Sequence, residues 1–187
     1  MSKRENHLMI RLFVAIDIPP AIRSRLHHMS RDIPGARPVP RDQLHLTLKF
    51  IGDVETNILP SLTKVLTTVQ TSPFPLALRD IGHFPPRGTP RIVWLGIAPQ
   101  PDLGLLHSRI DQALEKLGIA RDTQQFSPHV TIARLKNPDP ESYRRFLARH
   151  SDFRTEPFEI KYFSLYRSKL TAARAIHTLE ALYELGK

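Results

Sequence analysis

Two short stretches of this chain, His45-Leu46-Thr47 and His129-Val130-Thr131, set an imidazole two residues before a hydroxyl. Residues two apart share one face of a β-strand, so in a strand each histidine would project together with its threonine. An imidazole titrates near pH 6.5, so of two facing one cleft at neutral pH, one can be a neutral base and the other a cationic acid. Cleavage of a phosphodiester uses that combination. One histidine draws a proton from the attacking water and the other gives one to the departing alkoxide. The threonine hydroxyls donate hydrogen bonds to the non-bridging oxygens as charge builds there.

Nine histidines and twelve threonines among 187 residues give His-x-Thr by chance roughly 0.6 times. Requiring apolar residues at the alternate positions leaves roughly 0.1, and two such matches arise with a chance on the order of 0.005. A single motif reads as strand packing, because a half-exposed strand histidine is commonly structural and threonine suits strands for its branched side chain. The repetition is what points to chemistry.

The elements that must hold these residues are the cleanest period-two segments of the chain, 44–51 and 129–135. Alternation sends Leu46, Leu48 and Phe50, and likewise Val130 and Ile132, into a core. By the same parity Lys49 shares the face of His45 and is a candidate phosphate contact, with a solvated edge lysine as the plainer reading. Further strands are predicted at 11–18, 76–81, 91–97, 158–170 and 175–182, the last with helix as an alternative. Helices are predicted from about 20, over 59–69, over 103–117 with Gly118 as its cap, and over 141–149. Pro34, Gly35, Pro38 and Pro40 mark a loop. This mixture lacks strict βαβα order and a Gly-rich phosphate loop, so the class is α+β, with the 84-residue spacing of the motifs suggesting two equivalent lobes.

With these residues in view, the sequence resembles the 2H phosphoesterases, named for two His-x-Thr-x motifs, here HLTL at 45–48 and HVTI at 129–132. RLFVAIDIP, LHLTLKFIGDV, FPPRGTPRIVWLGI, FSPHVTIARL and LYRSKL are similar to the bacterial RNA 2′,3′-cyclic phosphodiesterase branch, formerly called 2′-5′ RNA ligases. The resemblance implies one domain over 1–187 built of two pseudo-twofold lobes, with antiparallel sheets lining a central cleft and helices outside. It implies hydrolysis of an RNA 2′,3′-cyclic phosphate end to a 2′-phosphate, with no metal and no cofactor. Carried onto this chain, His45 is the proton donor to the departing 3′ oxygen and His129 the acceptor from water, while Thr47 and Thr131 hold the phosphate. The family often has a basic residue five positions after the second histidine, here Arg134. Strict alternation puts Arg134 on the face opposite His129, so the reading requires a bulge or a strand end to turn it. Phe13 is a candidate for stacking a base, with a core role as the plainer reading. Segment 171–177 (TAARAIH) departs from the glycine and tyrosine usual in relatives, which leaves the shape of the final hairpin open. His7, His27, His28, His83, His107, His150 and His177 have no partner motif and read as surface or packing residues.

Composition bounds the partners. Twenty-seven Lys and Arg against eighteen Asp and Glu give a net charge of +9, which fits a polyanion such as RNA and equally fits simple solubility. The absence of cysteine excludes a thiolate nucleophile, a disulfide framework and Cys-based metal sites. No segment reads as a signal peptide or a membrane span, so a soluble, cytoplasmic monomer is expected. Three alternatives stay open from the residues. The same site could join 2′,5′ ends or open a small cyclic nucleotide, a basic cleft could grip RNA ends without turnover, or the two histidines could ligate a metal ion.

Overall fold

The computed structural model describes residues 8–33, 35–172 and 174–186, so His7 and Pro34 of the sequence reading lie outside the described residues. The first strand, β1 (Met9–Asp17), is buried from Leu12 through Ile16, as its unbroken apolar run requires. Pro20 then opens helix α1 (Pro20–Ser30) at a position where its missing N–H costs nothing, and Leu26 and Met29 turn into the core. A short strand, β2 (Ala36–Pro38), precedes β3 (His45–Glu55), which carries the first motif.

Helix α2 (Leu59–Leu66) follows, then β4 (Phe74–Leu76), β5 (Leu78–Phe84) and β6 (Ile92–Ile97). Helix α3 (Pro101–Glu115) buries Leu103, Leu106, Ile110 and Leu114 at helical spacing. Gly118 closes its end at φ +80°, a conformation that favours glycine. The second motif opens β7 (His129–Leu135). Helix α4 (Pro140–Arg149) is capped by Asp139, whose carboxylate accepts from the Ser142 N–H at 2.8 Å. The chain ends in β8 (Phe158–Ile160), β9 (Tyr162–Leu170) and β10 (Ala175–Glu184).

The class is α+β, with antiparallel pairing throughout. Two predicted strands are each divided. The 76–81 segment is split between β4 and β5, and the 158–170 segment breaks at Lys161, so that β4 and β8 form a small sheet of their own. The last segment is a strand, and β9 and β10 form the final hairpin, paired from Ala175↔Leu170 onward.

The main sheet runs in the order β10-β9-β1-β3-β7-β6-β5, with β2 also on β7. Its centre is its thinnest joint. β1 and β3 share nine residue pairs, whereas β3 and β7 meet through Leu46↔Val130 alone. The two halves of the sheet therefore pair at one point, β2 takes the same edge of β7 three residues further on, and a cleft lies over the face opposite the core. Leu46 and Val130, the pair that forms the joint, are both fully buried.

Candidate active site

Antiparallel register around Leu46↔Val130 sets His45 across from Thr131 and Thr47 across from His129. Two imidazoles and two hydroxyls thus surround the joint as a quartet on its cleft face, and all four line one cavity of about 890 Å³. Their anchoring repeats as well. His45 Nδ1 lies 2.7 Å from the Gln43 carbonyl, and His129 Nδ1 lies 2.9 Å from the Ser127 carbonyl, in each case two residues upstream. A carbonyl can only accept, so each Nδ1 carries the proton of the bond and each neutral ring keeps its free lone pair on Nε2. The Thr47 and Thr131 hydroxyls make no hydrogen bond to protein among the described residues.

Each histidine rests on aromatic rings. Phe13 lies 4.9 Å from His45, centroid to centroid, and itself packs against Tyr166 at 5.4 Å and His177 at 4.8 Å. His129 is met edge-on by Phe84 at 5.2 Å and flanked by Trp94 at 6.2 Å. Trp94 in turn lies over Gly82, its cross-strand neighbour, where any added Cβ would come within 2.3 Å of the indole ring. Phe13 is only 3% exposed, so it forms the wall behind His45 and offers little free face to a base.

Electrostatics distinguish the first histidine. Burial lowers the His45 imidazole to about 4; the bond to Gln43 and the charge of Asp17 oppose that shift, and the charges of His177 and His129 add to it. Asp17, paired with His45 across β1 and β3, accepts from Tyr166 at 2.7 Å and from Ser164 at 3.0 Å. Burial, with Asp17 beside it, pushes the Tyr166 phenol up to about 12.

β-bulges decide which neighbours join the quartet. Pairing of β1 with β3 passes from Ala15↔Thr47 to Val14↔Lys49, leaving Leu48 as an extra residue. Pairing of β6 with β7 passes from Trp94↔Thr131 to Val93↔Ala133, leaving Ile132 extra. The extra residue is thus the third after the histidine in both motifs, and it inverts the alternation beyond it. Lys49 is turned away from the cleft, which corrects the parity reading. Its ammonium, 2% exposed, lies 2.8 Å from both Asp111 and Asp122 and donates to the Ala120 carbonyl. Burial works against its charge, but the two carboxylates prevail and the pKa is raised. Phe50 is corrected in the opposite sense: predicted for the core, it stands 71% exposed in the cleft. The bulge required for Arg134 is present, and Arg134 lines the cavity.

Sequence reasoning missed His177. It sits on β10, far along the chain, and reaches within 5.3 Å of His45 because β9 joins β10 to β1. Its motif-free context gave no signal. The other described histidines pack as expected, with His107 stacked on Phe126 at 4.0 Å and His27 Nδ1 3.1 Å from the Val39 carbonyl. His107, Asp111 and Asp122 are the one group of three ligand-type side chains near enough for an ion among the described residues. It lies on the core side of β3, where the Lys49 ammonium already neutralises its carboxylates.

A family profile of the 2′-5′ RNA ligase superfamily matches residues 12–171, a span that holds both motifs and both bulges. The chain belongs to the 2′-5′ RNA ligase superfamily. Its superfamily relatives include a protein of Archaeoglobus fulgidus named RNA 2′,3′-cyclic phosphodiesterase, 32% identical over 171 residues, covering 90% of this chain and 96% of that one. A protein of Escherichia coli with the same name is 34% identical, covering 66% of this chain and 71% of its own. Among solved structures, TT0787 of Thermus thermophilus matches at TM-score 0.78 with 28% identity, over 94% of this chain and 97% of that one. Escherichia coli LigT complexed with 3′-AMP matches at 0.76 with 27% identity, over 96% of this chain and all of that one.

Proposed function

We propose that the protein hydrolyses RNA 2′,3′-cyclic phosphate ends to 2′-phosphomonoesters by metal-independent acid–base catalysis. The observation that carries this is the quartet around Leu46↔Val130: two imidazoles with Nδ1 bonded to backbone, and two threonine hydroxyls, with Nε2 and the hydroxyls unpartnered among the described residues, in one cleft. The relatives named RNA 2′,3′-cyclic phosphodiesterase support the substrate. In this reading His129 Nε2 takes a proton from water as its oxygen bonds to phosphorus. The bond from phosphorus to the 3′ oxygen breaks, and His45 Nε2 supplies the proton that oxygen needs. Thr47, Thr131 and Arg134 hold the non-bridging oxygens.

The donor must arrive protonated, and burial leaves His45 neutral at pH 7 in the free protein. A phosphate anion beside the ring favours the imidazolium, so substrate binding shifts the donor toward its protonated form. One domain of two lobes, each giving one motif, is the architecture we attach to this reading, and the single-pair joint at the centre of the sheet supports it. Among the described residues no helix is long and apolar enough to cross a membrane. A cysteine-free chain acting on RNA ends fits the cytoplasm. The reading is tested by incubating the protein with RNA bearing a 2′,3′-cyclic end, with and without chelator, and locating the product phosphate. A 2′-phosphate formed at equal rates in both is expected. A 3′-phosphate product, or a rate abolished by chelator, would contradict it.

A further inference from the structure

The cleft extends beyond the quartet, and along β7 it becomes cationic. Strand β2 pairs with β7 so that Arg37 stands directly across from Arg134. Both side chains line the cavity. Like charges at directly opposed strand positions repel, with Cα atoms about 5 Å apart, so the pair costs stability unless an anion lies between or beside them. No carboxylate does so among the described residues. Arg11 in the same cleft is paired with Asp53 at 2.7 Å, and Arg121 and Arg167 have Glu115 and Glu180, but Arg37 and Arg134 have no acidic partner among the described residues.

Position separates the two arginines in role. Arg134 lies three residues beyond Thr131, about 10 Å by strand rise before the bulge shortens it, which an arginine side chain can span. Arg37 stands on β2, which borders the same edge of β7 that β3 joins at Val130, and it shares no strand with either motif. A phosphate held by the threonines is served by Arg134, and Arg37 is left to face a second anion. In an RNA chain the next anion is the internucleotide phosphate on the 5′ side of the terminal nucleotide.

Resting on the reading above, we infer that Arg37, beside Arg134, forms a second phosphate subsite that selects a polynucleotide end over a cyclic mononucleotide. A guanidinium fork suits this task, since it binds phosphate oxygens bidentately and keeps its charge at any working pH.

The test compares kcat/KM on adenosine 2′,3′-cyclic phosphate, which has no upstream phosphate, with that on an adenylyl dinucleotide ending in the same cyclic phosphate. The wild type is expected to prefer the dinucleotide by about tenfold, and Arg37→Gln to bring that ratio close to one through loss on the dinucleotide. The salt dependence of dinucleotide turnover should fall by about one counter-ion in the variant. Equal losses on both substrates, or an unchanged ratio, would overturn the assignment. Binding of the two products, adenosine 2′-phosphate and the dinucleotide ending in 2′-phosphate, gives the same comparison without turnover. If the wild type opens neither cyclic end, the proposed reaction is wrong, and the binding pair still decides the role of Arg37.

Discussion

Burial of His45 between Phe13 and His177 couples its protonation to both folding and ligand binding. Its folded-state pKa lies below the unfolded value of about 6.5, so the unfolded chain binds the extra proton first as pH falls. The stability this residue contributes is therefore complete above pH 6.5 and is lost progressively as pH drops toward 4. Urea midpoints should decline over that window in the wild type and decline less in His45→Gln. Binding of an anion reverses the shift and takes up a proton, so inorganic sulfate, whose charge is constant over this range, should bind more tightly as pH is lowered from 7 to 5. Calorimetry in buffers of different ionisation enthalpy reads that proton directly, and its persistence in His45→Gln would contradict the assignment. At this scale the sequence was most legible, because a His and a Thr two apart need only strand alternation to share a face. Phe50 and Lys49 were misread by the same rule, since alternation holds only while the pairing is regular.

The strands carry information that no local pattern holds. Leu48 and Ile132 look like ordinary apolar positions of a strand, and only the partners β1 and β6 reveal them as extra residues. The inversion moves Arg134 and Phe50 into the cleft and sends Lys49 into a buried ion network that ties β3 to α3 and to the segment leading to His129. Lys49→Ala would strand the Asp111 carboxylate, itself 9% exposed, without its cation. A loss of about 3 kcal/mol in unfolding free energy is expected, at the lower end for a broken buried pair because Asp122 reaches solvent. Denaturant titration measures it, and a loss below about 1 kcal/mol would place the network with weak surface pairs. His177 and Arg37 were illegible for a related reason: β10 reaches the site through β9 and β1, and β2 through β7, which are pairings made at long range.

Across the whole molecule, a sheet of eight strands is joined at its middle by one residue pair, and the histidines and threonines of the two motifs cluster around that pair. Each half brings one histidine and one threonine, so in the proposed reaction neither half alone holds both the acid and the base. The α+β class and the family were readable from the chain, whereas the single-pair joint was not, because Leu46 and Val130 are 84 residues apart and outwardly like any core strand residues. The claim that the two imidazoles act as one unit has a direct measurement. Turnover of RNA with a 2′,3′-cyclic end is followed for the wild type, His45→Ala, His129→Ala and the double variant. Each single change should cost about 10²- to 10⁴-fold, and the double variant should fall little further, because either loss already breaks the proton circuit. Full activity in either single variant, or losses that multiply in the double variant, would contradict it.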